Sequence, residues 1–251
     1  MESWKLEDRQ AEDSTAGIYD HLYHRTIFAK SMYGDFAQSI VSRTQKGKVL
    51  ELACGTAIIS NILPSQKLER FCVDFSWNML QIAKSKCQNC LQADIDYLPI
   101  LDSSFDVVYI HSALHHFPNL LGIFKEVKRI LKGGGYFIIQ EPNSHNLRKD
   151  SFLRICSFLF KILKTRRYED LSHLEIKPSE HHGTLKIDAV LPLLETLDFA
   201  ILEKGYRYYS SQILSGYDSL TAHKVGRFFD KYYVRKKNDG YMFLIVGKKK
   251  N

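Results

Sequence analysis

Three acidic residues, Glu51, Asp74 and Asp94, stand at the ends of successive short apolar runs in the first half of the chain. In an open α/β sheet the carboxyl ends of the strands meet at one edge, and ligands bind there. A carboxylate accepts hydrogen bonds without a competing donor, so Asp74 suits the two hydroxyls of a ribose. Asp94 suits the amine of an adenine whose ring packs on the neighbouring Ile95. For any one of these carboxylates, a helix N-cap or a solvated strand end is the alternative.

A turn of small residues, 53–57 (ACGTA), comes directly after the first of these strands. Larger side chains there would collide with a nucleotide-like ligand that approaches the backbone. The Gly-x-Gly-x-x-Gly spacing that cradles a dinucleotide diphosphate at a helix N-terminus is absent, which argues against NAD.

The cysteines are odd in number and lack the spacing of a disulfide framework, so we expect reduced, buried thiols. They are Cys54, Cys72, Cys87, Cys90 and Cys156. Cys87 and Cys90 form one CxxC pair, but a zinc site needs about four ligands, and no second pair stands nearby in the sequence. The expectation is therefore that no metal is bound.

Strands and helices alternate between residues 47 and 141, which predicts successive βα units and a parallel sheet. The predicted strands are 48–52, 71–74, 90–94, 105–110, 136–140, 199–206 and 241–247, and the predicted helices are 58–63, 79–85, 120–131 and 187–197. Three pieces fall outside this pattern: the N-terminal segment to about residue 45, and insertions at about 142–185 and 207–240. We expect these pieces to form a cap over a ligand site.

Five segments, in order and at family spacing, resemble the motifs of class I S-adenosylmethionine (SAM)-dependent methyltransferases. They are 49–59 (VLELACGTAII), 71–80 (FCVDFSWNML), 92–99 (QADIDYLP), 104–117 (SFDVVYIHSALHHF) and 130–136 (ILKGGGY). The closest branch is the small-molecule type that includes the ubiquinone and menaquinone biosynthesis enzymes. The resemblance covers about residues 47–141, and a weaker resemblance extends over residues 194–203.

The resemblance implies a Rossmann-like α/β fold with a mostly parallel, seven-stranded sheet, helices on both faces and an antiparallel last strand. It implies a helical cap at 1–45 and a SAM-binding methyltransferase domain at 46–251 that carries the two insertions. SAM is then the cofactor, and S-adenosylhomocysteine the product.

On the adenosine side, the resemblance implies that Asp74 holds the ribose, that Phe75 and Met79 lie beside the adenine, and that Asp94 and Ile95 hold its edge and face. On the methionine side, it implies roles for Glu51 in the first motif, for His111 through its backbone, and for an aromatic residue of the N-terminal helix. The loop under the methionine is Ala53, Cys54 and Gly55, and the aromatic candidates are Tyr19 and Tyr23. The chain departs from the family pattern at Ala53 and Ala57, where glycine is usual, and the methyl group of Ala57 puts the strength of SAM binding in question.

Methyl transfer from a sulfonium needs alignment and exclusion of water, and needs a general base only if the acceptor must lose a proton. His116 is the candidate base, because histidine titrates near neutral pH and follows the fourth strand here. The candidates for substrate contact are His115, Asn143, His181 and His182. The alternatives are a structural role for the first histidine pair, a solvated loop for the second, and a strand end at Pro142.

The acceptor class is suggested by segment 151–167 (SFLRICSFLFKILKTRR), which as a helix is broadly apolar with a narrow basic stripe. Such a helix lies on a membrane surface or closes over an apolar substrate, whereas the alternative is a lid packed on the sheet domain. We therefore expect a small, apolar or lipid-like acceptor. The formal net charge of +7 could favour nucleic acid, but residues 111–114 (HSAL) lack the Asn/Asp-Pro-Pro-aromatic motif of nucleic-acid amino-methyltransferases.

Two other functions stay open: a non-catalytic SAM-fold partner subunit, and a protein or RNA methyltransferase that uses the basic surface. No signal peptide is visible, and no apolar run reaches the roughly 18 to 20 residues of a membrane span. We therefore expect a cytoplasmic protein.

Overall fold

One sheet of seven strands, in the order β3-β2-β1-β4-β5-β7-β6, organises the chain. The strands are β1 (Gly47–Leu52), β2 (Leu68–Asp74), β3 (Asn89–Gln92), β4 (Phe105–His111), β5 (Leu131–Pro142), β6 (Phe199–Arg207) and β7 (Met242–Lys249). β7 runs antiparallel to both of its neighbours, while the first five strands pair in parallel. The predicted Rossmann-like sheet is thus confirmed. The strand order reverses between β1 and β4, which is where open α/β sheets bind their ligands.

The helices cover both faces of this sheet. In the described part of the chain, the α-helices are α1 (Ser3–Thr15), α2 (Tyr19–Tyr23), α3 (Ile27–Val41), α4 (Ile58–Ile62), α5 (Trp77–Ala83), α6 (Leu120–Ile130), α7 (Ile187–Thr196) and α8 (Leu220–Lys237). Side chains cap several N-termini: Thr26 accepts from the N–H of Ala29 before α3, and Ser76 accepts from the N–H of Met79 before α5. These bonds satisfy donors that the first helical turn leaves without a partner, so the helices begin where the sequence supplies a cap.

Alternate residues of the central strands point to opposite faces and build two cores. On one face, Leu50 and Val108 pack with the apolar sides of α6 and α7. On the other face, Val49 and Tyr109 pack with α3 and α4, and Phe36 of α3 is fully buried. Burial on both faces explains why the strands read as continuous apolar runs in the sequence.

The structure, a computed structural model, describes residues 3–143, 158, 185–209, 219–237 and 239–251. His181, His182 and the predicted helix at 151–167, apart from Phe158, lie outside the described residues. The second predicted insertion contains α8 in its described part. Within the described ranges no helix combines the length and the apolar character that a bilayer crossing requires. The division into a cap at 1–45 and a domain at 46–251 stays a prediction.

Candidate functional site

A cavity of about 410 Å³ lies at the carboxyl ends of the central strands, between the sheet and the N-terminal helices α1 to α3. Its volume falls within the range of ligand pockets, about 300–1,000 Å³. Most of the predicted site residues line it: Tyr19, Tyr23, Glu51, Ala53, Cys54, Gly55, Asp74, Phe75, Asp94, Ile95, His111, His115 and His116. The fold therefore brings the predicted cofactor residues together around one space.

The turn after β1 takes an unusual backbone conformation. Ala53, Gly55 and Ala57 have φ values of 47°, 51° and 57°, in the left-handed region that favours glycine. A Cβ atom on Gly55 would lie 3.8 Å from the ring of Tyr19, so this ring closes over the turn. Ala57 is fully buried and packs with Leu80 and Ala83, away from the cavity lining. Its methyl group therefore leaves the cavity unobstructed.

Asp74 is tied to the backbone at the end of β2. One carboxylate oxygen accepts from the N–H of Gly55 at 2.7 Å, and the other accepts from the N–H of Ser76 at 2.8 Å. Each oxygen has a second lone pair, so the carboxylate can still accept two hydroxyl groups from the cavity. Burial raises the pKa of Asp74 to about 6, although hydrogen bonding to the backbone at Ser76, Gly55 and Phe75 opposes this. The group is ionised at neutral pH and rigidly oriented.

Glu51 lies beneath the same turn. Its carboxylate accepts from the N–H of Ser60 at 3.0 Å and from the hydroxyl of Tyr109 at 3.3 Å. Burial raises the pKa of Glu51 to about 7 against these hydrogen bonds. The carboxylate thus joins β1 to α4 at the floor of the cavity.

Helix α1 is tied to the predicted adenosine side by polar contacts that the sequence did not indicate. Lys5 donates to Asp94 at 2.6 Å and to Asp96 at 2.5 Å. The guanidinium of Arg9 lies 5.6 Å from the ring centre of Phe75, and Asp13 accepts from the Ser76 hydroxyl. α1 is highly charged and weakly amphipathic, so no local pattern would have shown which of its residues reach the site.

His111 ends β4 with its ring between two aromatic residues of α3. The centres of the Tyr33 and Phe36 rings each lie 5.1 Å from the His111 ring centre. Burial lowers the pKa of His111 to about 3, so the ring is neutral, and the amide of Gln140 donates to it at 3.2 Å. This packing holds the end of β4, where the predicted backbone contacts would be made.

The two histidines after β4 each contact a carboxylate through Nδ1. His115 lies 2.9 Å from Glu141, which is fully buried and also accepts from the N–H groups of Ala113 and Leu114 at 2.7 and 2.8 Å. His116 lies 3.0 Å from Asp8 of α1. Both imidazoles line the cavity and are oriented by their carboxylate partners.

Burial and the nearby carboxylates shift the pKa of His116 in opposite directions. Burial lowers this pKa, but the hydrogen bond and charge of Asp8, together with the charge of Glu12, raise it above the ordinary histidine value. Glu12 of α1 also lines the cavity, and burial raises the pKa of its carboxyl to about 7. Sequence reasoning missed Glu12, because nothing in α1 distinguishes it from its acidic neighbours.

Of the predicted site residues that the structure describes, Met79 and Asn143 do not line the cavity. Met79 is buried in α5, where its backbone N–H donates to the capping Ser76 hydroxyl. The side-chain amide of Asn143 donates to Asp239 at 2.8 Å and to the carbonyl of Gly240 at 3.0 Å. Asn143 thus holds the chain next to β7, and its predicted role toward a substrate has no support from these contacts.

Comparison with known proteins agrees with this geometry. A family model described as a methyltransferase domain matches residues 50–139. A demethylmenaquinone methyltransferase of Staphylococcus epidermidis is 35% identical over 154 residues, covering 58% of this chain and 63% of that protein. The demethylmenaquinone methyltransferase of Bacillus velezensis is 30% identical over 196 residues, covering 68% of this chain and 84% of that protein. The chain thus spans less than two thirds of the first of these relatives and most of the second.

Solved structures share the fold at low sequence identity. A SAM-dependent methyltransferase of Thermotoga maritima has a TM-score of 0.60 at 18% identity, covering 96% of this chain and 99% of that one. A phosphoethanolamine N-methyltransferase of Haemonchus contortus, solved with S-adenosylhomocysteine, has a TM-score of 0.64 at 15% identity, covering 100% of this chain and 61% of that one. From the motifs, the cavity and these relatives together, the chain belongs to the class I SAM-dependent methyltransferases, in the menaquinone and ubiquinone branch, and its cofactor is SAM.

Proposed function

We propose that the chain transfers the methyl group of SAM to a small, apolar acceptor. The observation that carries this proposal is that one cavity holds both the predicted cofactor residues at the strand ends and a wall of aromatic side chains from the N-terminal helices. Tyr19, Tyr23 and Tyr33 of these helices contribute to this wall, and Phe117, which follows β4, adds a further aromatic ring. An aromatic enclosure favours an apolar acceptor and excludes water from the reacting atoms.

The residues at the strand ends fit the adenosine part of the cofactor. Asp74 is oriented by two backbone N–H groups and keeps acceptor capacity for two ribose hydroxyls. Ile95 is buried beside Asp94, so an apolar surface and a carboxylate stand together for an adenine. SAM supplies an activated methyl group on a sulfonium, so the main task of the protein is alignment of the acceptor.

Proton removal is proposed for His116. In the proposed step the acceptor atom forms a bond to the methyl carbon while the carbon–sulfur bond breaks, and the acceptor proton passes to the neutral imidazole. Asp8 orients this imidazole through Nδ1 and increases its basicity. His115, held by Glu141, is proposed to contact the acceptor beside it, since the two ring centres are 4.4 Å apart.

The acceptor class draws further support from the demethylmenaquinone methyltransferases among the relatives. The test is a transfer assay with SAM carrying a radioactive methyl group and a panel of quinols and naphthols, set against polar amines and amino acids. We expect label in the solvent-extractable products of the apolar acceptors. Label only in water-soluble products would contradict the apolar acceptor. SAM binding without any turnover, together with a stable heteromeric partner, would favour the alternative function of a non-catalytic SAM-fold partner subunit.

A further inference from the structure

Three thiols meet beside the cofactor site, between β2 and β3. The sulfur atoms of Cys72, Cys87 and Cys90 all lie within 4.8 Å of one another. Cys72 and Cys90 are register partners on adjacent parallel strands, so their side chains share a face of the sheet. Cys87 precedes β3 and donates to the carbonyl of Arg70 at 3.3 Å, which directs its thiol to the same place. The sequence showed only the CxxC pair, and strand register adds the third thiol.

The spacing of these thiols is close to that of a tetrahedral thiolate site. Zinc–sulfur bonds of about 2.3 Å in a tetrahedron place the sulfurs about 3.8 Å apart. Side-chain adjustments of about 1 Å would therefore bring all three sulfurs onto one ion. Cys90 is only half-buried, which gives an ion a path from solvent, whereas Cys72 and Cys87 are buried.

The surroundings favour a divalent over a monovalent ion. Three thiolates and one divalent cation carry a net charge of −1, and the Arg70 guanidinium acts electrostatically on Cys87 with the opposite sign. A buried charge is tolerated when it is paired in this way. Ser60 accepts from the Cys72 thiol at 3.2 Å, and its carbonyl accepts from Arg70 at 2.6 Å, so polar groups already orient the ligands.

We infer that Cys72, Cys87 and Cys90 form a binding site for one Zn²⁺ ion, with a water molecule as the fourth ligand on the side where Cys90 is half-buried. Each thiol releases its proton as its zinc–sulfur bond forms, and no oxidant or reductant takes part. The ion ties the edge strand β3 to β2, whose last residue is Asp74. The site is separate from methyl transfer and does not depend on the proposed function. Cys54, whose thiol contacts that of Cys72, adjoins the site but is not among the three ligands.

The test uses the reduced, metal-free full-length protein, titrated with Zn²⁺ against a chelator of known affinity and separately with Co²⁺. We expect one ion per chain, a thiolate-to-cobalt charge-transfer band, and a higher melting temperature with Zn²⁺ because only the folded chain presents the site. Cys90→Ser should weaken Zn²⁺ binding by at least about a hundredfold, since even lost second-shell contacts cost 10- to 100-fold. Cys156→Ser, at a cysteine outside the cluster's three residues, is the matched control and should bind Zn²⁺ like the wild type.

Absence of stoichiometric binding by the wild type, or equal affinity in Cys90→Ser, would overturn the inference. Cys90 is half-buried on an edge strand, so its serine variant should fold, and circular dichroism of the metal-free forms checks this. If Cys90→Ser fails to fold, the cobalt band and the ion count of the wild type alone decide the question. SAM binding is measured in the same preparations, so loss of the cofactor site and loss of the zinc site give different results.

Discussion

Replacing Asp74 with alanine should remove the ribose contact and weaken SAM binding by roughly a hundredfold. The carboxylate is held by the N–H groups of Gly55 and Ser76, and its remaining lone pairs face the cavity. A hydrogen bond to a charged acceptor contributes about 1.5–3 kcal/mol, so two ribose hydroxyls at the lower value give about 3 kcal/mol. Since every 1.4 kcal/mol is tenfold in affinity, the dissociation constant should rise by roughly two orders of magnitude.

Isothermal titration calorimetry at pH 8 measures this change with Asp74 ionised, because its pKa is about 6. Binding of S-adenosylhomocysteine to the variant should weaken by the same factor as binding of SAM, since the two molecules share the ribose. Glu69→Ala is the matched control, because Glu69 lies on the same strand outside the cavity lining, and its half-exposed carboxylate lies 3.8 Å from the Lys48 ammonium. Asp74→Asn keeps the side-chain volume and should give an intermediate loss. A folded Asp74→Ala protein that binds SAM as tightly as the wild type would refute the assignment.

Three further predictions concern the same cavity. SAM affinity should fall as the pH drops through about 6, because the Asp74 carboxylate, whose pKa is raised to about 6, becomes protonated there. If another group holds the ribose, calorimetry across this pH range should show no such loss. His116→Gln should lower kcat by about 10²- to 10⁴-fold if it removes the general base. The variant should also lose the increase in kcat that the wild type shows as the pH rises above the ordinary histidine pKa, while its SAM affinity stays unchanged. Equal turnover in wild type and variant would exclude this role. Ala57→Gly should leave SAM affinity unchanged, because Ala57 is buried in a cluster with Leu80 and Ala83 and does not line the cavity. Tighter SAM binding by the variant would show that the methyl group obstructs the site.

Local patterns predicted the residues at the strand ends. Glu51, Asp74 and Asp94 each follow an apolar run, and all three line the cavity because parallel strands end at the same edge of the sheet. Met79 was placed beside the adenine by resemblance, yet its side chain is buried in α5 and does not line the cavity. A motif gives a residue's place along the chain, whereas the rotation of its helix is set by packing.

The amino-acid sequence by itself determined the alternation of strands and helices, the seven-stranded sheet and the cofactor motifs, because periodicity and turn chemistry are local properties. Only the tertiary structure decided that Lys5 and Glu12 of α1 reach the cavity. It likewise decided that His115, which follows β4, contacts Glu141 of the adjacent strand β5. It also decided that Cys72 joins the CxxC pair, since that contact depends on the register of β2 against β3. Such pairings join residues far apart in the chain, and they follow from the docking of whole elements rather than from any pattern within one of them.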